Sequence, residues 1–229
     1  MIKIKAVIVT LLILVSALSP CFADELRRDR DTQNQQLIME TGFKLLNSSN
    51  VDKRMTFFYN SENKRKVKIN NFRKSITVYK GMMPLFEDDD ELAAALSTGI
   101  GALTDMQAGF FRRFSISFSP RKYEIKADKK AVDLMVNAGY DPVALIKFLN
   151  KTSSQPNWFE YNIFVHSGSE RMAYIYQYIY EKYPIYLAQN RYINTRAYQN
   201  FLLNSKKTRH ATMLIQKERL KKLEEEPKN

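Results

Sequence analysis

Residues 88–103 constrain the fold of this chain more than any other segment. Asp88 and, three residues on, Glu91 have the spacing of a capping box, in which side chains satisfy N–H groups that a helix start leaves without partners. Asp89 and Asp90 place negative charge at the positive end of the helix dipole. Leu92, Leu96, Ile100 and Leu103 then recur at helical spacing. A helix with so apolar a stripe must bury it, so this segment is expected to run through the core.

The flanking sequence offers two strand-like runs and several more helices. Residues 24–50 form a polar, helix-prone lead-in whose Leu37, Thr41, Leu45 and Leu46 share one face. Met55–Asn60 and Ser75–Tyr79 are rich in β-branched and aromatic residues, with turn chemistry at Asn70-Asn71 between them. A helix is expected from about Tyr123 to Ala138, closed by Gly139, which takes a left-handed cap at little cost. Asp141 and Pro142 suit the start of the next helix, which turns Leu145, Phe148 and Leu149 inward. Residues 151–165 read as a loop. Ser167 and Glu170 repeat the capping spacing before a helix that carries Met172, Ile175 and Ile179 and ends at Pro184. The expected class is α+β, mostly α, with a small sheet. Residues 24–190 are expected to form the main domain and 191–229 a basic helical extension.

The amino end has the pattern of a targeting segment. Lys3 and Lys5 precede Ala6–Leu18, a run apolar apart from Thr10 and Ser16, and Pro20 interrupts it before Cys21-Phe22-Ala23. The expectation is a signal peptide over residues 1–23, cleaved after Ala23, and a protein exported to the periplasm or cell envelope of a bacterium. An uncleaved anchor is the alternative, but its apolar run is shorter than the roughly 20 residues a span needs. The formal charge of the whole chain is +12. Without Lys3 and Lys5, 34 basic residues face 24 acidic ones, a balance of +10. In an exported protein such a field suits acidic proteins or an anionic membrane surface, and no nucleic-acid partner is expected. One cysteine and two histidines, His166 and His210, exclude three-histidine sites and multi-cysteine zinc or iron–sulfur sites.

Four stretches carry a resemblance when taken in order. The first runs from Asn70-Asn71-Phe72 through Ile76-Thr77-Val78-Tyr79-Lys80-Gly81 to Asp88-Asp89-Asp90-Glu91-Leu92-Ala93-Ala94-Ala95-Leu96-Ser97. The others are Glu124-Ile125-Lys126-Ala127-Asp128, Ala138-Gly139-Tyr140-Asp141-Pro142 and His166-Ser167-Gly168-Ser169-Glu170-Arg171. Over about residues 65–180 the chain resembles the gluzincin metallopeptidases of the HtpX, BepA and CAAX prenyl protease type. That resemblance implies a zincin-like fold with extra C-terminal helices. It also implies that residues 98–102 stand where the zinc helix has H-E-x-x-H, that Glu124 matches the third zinc ligand, that Asp128 orients a ligand, and that His166 and Arg171 match a late His…Arg element near the active site.

The catalytic side chains of that family are missing. Two histidines at i and i+4 share a helix face and grip one zinc, while the glutamate between them polarises bound water. Here the pentad reads Thr98-Gly99-Ile100-Gly101-Ala102, which supplies neither the imidazoles nor the carboxylate. No zinc or other cofactor is expected, and Glu124, Asp128, His166 and Arg171 are read as a remnant cluster. Gly99 and Gly101 each cost a helix about 1 kcal/mol relative to alanine, which points either to close packing by Phe110, Phe111 or the loop after Ala102 or to drift after loss of selection.

The first expectation is therefore an exported, proteolytically inactive metallopeptidase-like protein that binds or scaffolds an extended peptide or an unfolded envelope protein. In the resembled family, the strand before the zinc helix pairs with substrate at a sheet edge, so Ile76, Thr77, Val78 and Tyr79 are the expected peptide-binding edge strand. One alternative is a divergent zinc metalloendopeptidase that uses Glu124, His166 and a further ligand. Another is a membrane-surface module driven by Lys206, Lys207, Arg209, Lys217, Arg219, Lys221 and Lys222.

Overall fold

The structure is a computed structural model. It describes residues 2–49, 51, 54–106, 120–152, 159–160 and 168–225; the side chains at 2–24, 105–106, 120–122, 159–160, 219–220 and 222–225 are outside the description. The helices are α1 Ile2–Asn47, α2 Asp89–Met106, α3 Pro120–Asn137, α4 Val143–Thr152, α5 Gly168–Lys182, α6 Pro184–Ala188, α7 Arg196–Asn204 and α8 Lys206–Glu225. The strands are β1 Thr56–Asn60, β2 Val67–Asn70, β3 Ser75–Tyr79 and β4 Phe159–Glu160, and a 3-10 turn spans Lys80–Leu85. The α+β, mostly helical class is as expected. No helix among the described residues is long and apolar enough to cross a membrane. The expected signal peptide falls in the part of α1 whose side chains are outside the description.

The sheet has the order β1-β3-β2-β4. β2 and β3 form an antiparallel hairpin. Its turn is closed by Asn70, whose Oδ1 accepts from the N–H groups of Phe72 and Arg73 at 3.1 and 3.0 Å, and by Lys74 in the left-handed region at φ 51°. β1 runs parallel to β3 on the other side, and β4 parallel to β2. This order corrects the expected edge strand. Ile76–Tyr79 is interior, its main chain already paired with β1 and β2, so it has no free ladder for a peptide. β2 itself, a four-residue V-K-I-N run, is too short to stand out as a strand.

The outer edge of β1 is closed by a side chain. Gln35 on α1 donates from Nε2 to the Phe57 carbonyl at 3.0 Å, and its Oε1 accepts from the Tyr59 N–H at 2.7 Å. One carboxamide thus takes the place of a neighbouring strand. α1 reaches the sheet because Gly42 lies directly against the Phe57 ring, where a Cβ would come within 2.6 Å. The buried stripe of the lead-in is Ile38, Thr41, Leu45 and Leu46, whereas Leu37 turns outward at 36% exposure. Thr41, Leu45 and Leu46 are buried as expected, and only the first position of the stripe differs, with Ile38 in place of Leu37.

One continuous core joins α1 to the segment beyond residue 190. It runs from Ile38 through Ile76, Leu92, Leu96, Ile100 and Leu103 of the central layers to Tyr192, Tyr198 and Phe201 beyond residue 190. Asp141 caps α4 as expected, with Oδ1 accepting from the Val143 N–H at 2.9 Å, and Gly139 ends the α3 turn at φ 76°.

Candidate functional site

The amino end of α2 is fixed first. Asp88 Oδ1 accepts from the Glu91 N–H at 2.9 Å, and Glu91 Oε2 accepts from the Glu87 N–H at 2.7 Å. The reciprocal cap therefore reaches one residue further back than the usual box, to Glu87 instead of Asp88. Two lysines one turn apart on α4 hold this end. Lys147 Nζ stands 2.9 Å from Glu87 and 3.3 Å from Glu91, and Lys151 Nζ stands 2.8 Å from Glu91 and donates to the Leu85 carbonyl at 2.7 Å. Glu91 and Lys147 are both buried. Burial pulls the Lys147 pKa down, but hydrogen bonding to Glu87 and the charges of Glu91 and Asp88 outweigh it and leave it raised. The network locks the direction in which α2 enters the core.

Two turns further on, the pentad is buried and closely packed. Thr98 is buried, and its hydroxyl donates to the Ala94 carbonyl at 2.9 Å, a back-bond that occupies the side chain within its own helix. A Cβ on Gly99 would lie 2.7 Å from Cδ1 of Ile76, so the tip of a β3 side chain fills the place where a residue-99 side chain would begin. A Cβ on Gly101 would lie 2.6 Å from the Ala127 carbonyl oxygen, so α2 and α3 approach backbone to backbone. The neighbours that explain these glycines are therefore Ile76 and Ala127. The Phe110-Phe111 segment, expected in that role, is outside the described residues.

The close approach at Ala127 brings the pentad helix against the turn of α3 that carries Glu124 and Asp128. Both carboxylates are 2% exposed. Arg171 from α5 meets them: its Nε and Nη2 donate to Asp128 Oδ2 and Oδ1 at 2.8 and 2.6 Å, and Nε lies 3.8 Å from Glu124. Arg171 is itself 8% exposed. Burial works against its charge, but Asp128 and then Glu124 hold its pKa above the ordinary value. Glu124, Asp128 and Arg171 thus form one buried ion cluster bridging α3 and α5. His166 lies outside the described residues.

The described side chains of this cluster are turned to one another. Thr98 Oγ1 is committed to Ala94, Ala102 has no donor atom, and the two carboxylates face a guanidinium bound to the chain. Among the described residues, no group of three or more His, Cys, Asp or Glu side chains could hold a metal ion.

Sequence reasoning missed a second polar cluster, on the far side of the α2 entry. Asp90, Asp141 and Arg191 line an open cavity of about 420 Å³ with Gly139, Tyr186 and Gln189. Arg191 pairs with Asp90 and lies 3.5 Å from Asp141, and the Tyr192 hydroxyl donates to Asp90 at 2.7 Å. Desolvation, opposed by the Val143 N–H and aided by the nearby charge of Asp88, pushes the Asp141 carboxyl up to about 6. Arg191 is too exposed to cancel that effect. The only signal in sequence was the N-cap role of Asp141; Arg191 and Tyr192 come from the turn between α6 and α7, and Asp90 from the first turn of α2.

Comparisons with protein-family models, with curated proteins and with solved structures find no match for this chain.

Proposed function

We propose that this chain is a metallopeptidase-like protein without proteolytic activity, acting in the cell envelope by binding or scaffolding peptide and protein partners. The filled pentad carries this reading: Thr98 is bonded to its own helix, Ile76 occupies the place of a residue-99 side chain, and Ala102 offers no donor. A zincin needs two imidazoles and a carboxylate on that face to hold the metal and prime its water. The metallopeptidase ancestry rests on the order of the four family-like stretches. It is supported by the packing of the residue-124 helix against the 98–102 helix and by the bidentate pair between Asp128 and Arg171. Partners would be held by side-chain surfaces, since the interior strand Ile76–Tyr79 has no main-chain edge to lend.

Purified protein is expected to contain far less than one equivalent of zinc and to leave unfolded casein intact. Stoichiometric zinc together with chelator-sensitive cleavage would overturn the proposal in favour of a divergent endopeptidase. The assignment of the helix is tested separately by Thr98→His, Gly99→Glu and Ala102→His combined with Ile76→Ala, which clears the space at residue 99. Metal analysis should then show zinc uptake, and its absence in a folded variant would count against that assignment.

A further inference from the structure

Every other partly or fully buried cationic group described above faces a carboxylate: Lys147 and Lys151 face Glu87 and Glu91, and Arg171 faces Asp128. Arg209 does not. It is half-buried on α8, and no carboxylate pairs with it among the described residues. Its Nε donates to Ser205 Oγ at 3.1 Å and its Nη2 to the Leu202 carbonyl at 3.1 Å. The guanidinium carbon lies 5.0 Å from the Tyr176 ring centre and 5.4 Å from that of Phe201. Four contacts therefore fix the fork in place. Of its five N–H donors, two are used, and three have no acceptor among the described residues.

The space beside this fork is an open groove of about 410 Å³ between α5 and α8, walled by Tyr176, Tyr180, Lys206, Arg209, His210 and Met213. No acidic residue lines it. Lys206 and His210 flank Arg209 on the same turn, and the first turn of α8 carries no acid to offset them. Like charges at this spacing repel one another and work against the helix dipole. A fixed fork with free donors, flanked by basic groups and walled by tyrosine and methionine, has the chemistry for a tetrahedral oxyanion joined to a less polar body.

We infer that this groove is a binding site for a phosphoryl anion, with Arg209 as its anchor and Lys206 and His210 at its rim. The inference stands apart from the peptidase-like reading, since none of these residues touches the 98–102 pentad or the Glu124 cluster. A free phosphate ester and an anionic lipid headgroup share this chemistry, and two probes separate them. Calorimetry with inorganic phosphate, against sodium chloride at matched ionic strength, tests the free anion. Sedimentation with phosphatidylcholine vesicles, with and without phosphatidic acid, tests the headgroup.

On the full chain, at least one probe should bind. Arg209→Gln should weaken that binding about 10- to 100-fold, the usual worth of a charge-assisted contact. The exposed pair Lys206→Ala and His210→Ala should weaken it several-fold, whereas Lys217→Ala, on the same helix outside the groove, should leave it unchanged. Binding of vesicles alone, lost in Arg209→Gln, assigns the headgroup; binding of phosphate assigns the free anion. Because Arg209 also braces α7 against α8, the Lys206 and His210 double variant carries the test if Arg209→Gln fails to fold. The inference is overturned if neither probe binds, if the folded Arg209 variant or the double variant binds as wild type does, or if Lys217→Ala loses as much affinity as they do.

Discussion

Arg171 grips Asp128 edge-on, with Nε and Nη2 at 2.8 and 2.6 Å from its two oxygens, inside the protein and between two helices. This geometry makes the pair a single unit with Glu124, in which the guanidinium offsets the cost of burying both carboxylates.

Removing one member should cost far more than removing the set. Arg171→Met leaves two buried carboxylates without their cation and should lower stability by about 3–5 kcal/mol. Adding Asp128→Leu and Glu124→Gln should recover most of that loss. Urea midpoints measure both, and an equal loss in the triple variant would refute the account.

The two glycines of the pentad should respond with different signs. Each gains about 1 kcal/mol of helix propensity on becoming alanine. Gly101→Ala meets the Ala127 carbonyl, part of a backbone that cannot step aside, and should be destabilising by about 1–3 kcal/mol. Gly99→Ala meets only the tip of Ile76, so it should be close to neutral, and with Ile76→Val it should be stabilising. Thermal unfolding of the three variants checks the order.

Acidity should bear on stability through Asp141. Its carboxyl titrates at about 6 in the folded chain against 3.8 as the ordinary value. A raised folded pKa binds the proton more tightly than the unfolded chain does. The stabilisation is therefore fully present below pH 3.8 and is lost as pH rises through about 6. Solvent and the exposed Arg191 reduce its size to about 1 kcal/mol. Asp141→Asn keeps an N-cap but cannot titrate. The stability gained by wild type over this variant on going from neutral to acid should follow that window in denaturant titrations, and parallel pH profiles would rule it out.

Gln35 should matter to solubility as well as to stability. Gln35→Leu keeps the bulk but exposes the Phe57 carbonyl and Tyr59 N–H on the sheet edge. The loss of two hydrogen bonds should cost about 1–3 kcal/mol. An unpaired edge also invites pairing between copies. Light scattering during mild heating should rise earlier in the variant than in wild type, at matched distance from each midpoint.

What was legible in sequence was local. The Asp88–Glu91 spacing, the Asp141-Pro142 start and the stripe Met172, Ile175 and Ile179 each depend on neighbours a few residues away, and each forms as read. The strand Ser75–Tyr79 was read with its observed bounds, but its place in the sheet was not, because strand order depends on which distant segment lies beside it. The same limit applies to the candidate site. Glu124, Asp128 and Arg171 were picked out, yet the match between Nε, Nη2 and the carboxylate appears only once α5 is laid on α3. Gly99 and Gly101 signalled a close approach through their helix penalty, but a glycine does not say what approaches it.

The strand order carries a consequence for how this sheet assembles. β3 is intercalated between two segments that both precede it in the chain, so β1 and β2 cannot zip together as they emerge. The short-range hairpin of β2 and β3 closes with little loop entropy, whereas β1 must wait for β3 to offer its open side. Gln35 of α1 then has only the outer side of β1 left to close.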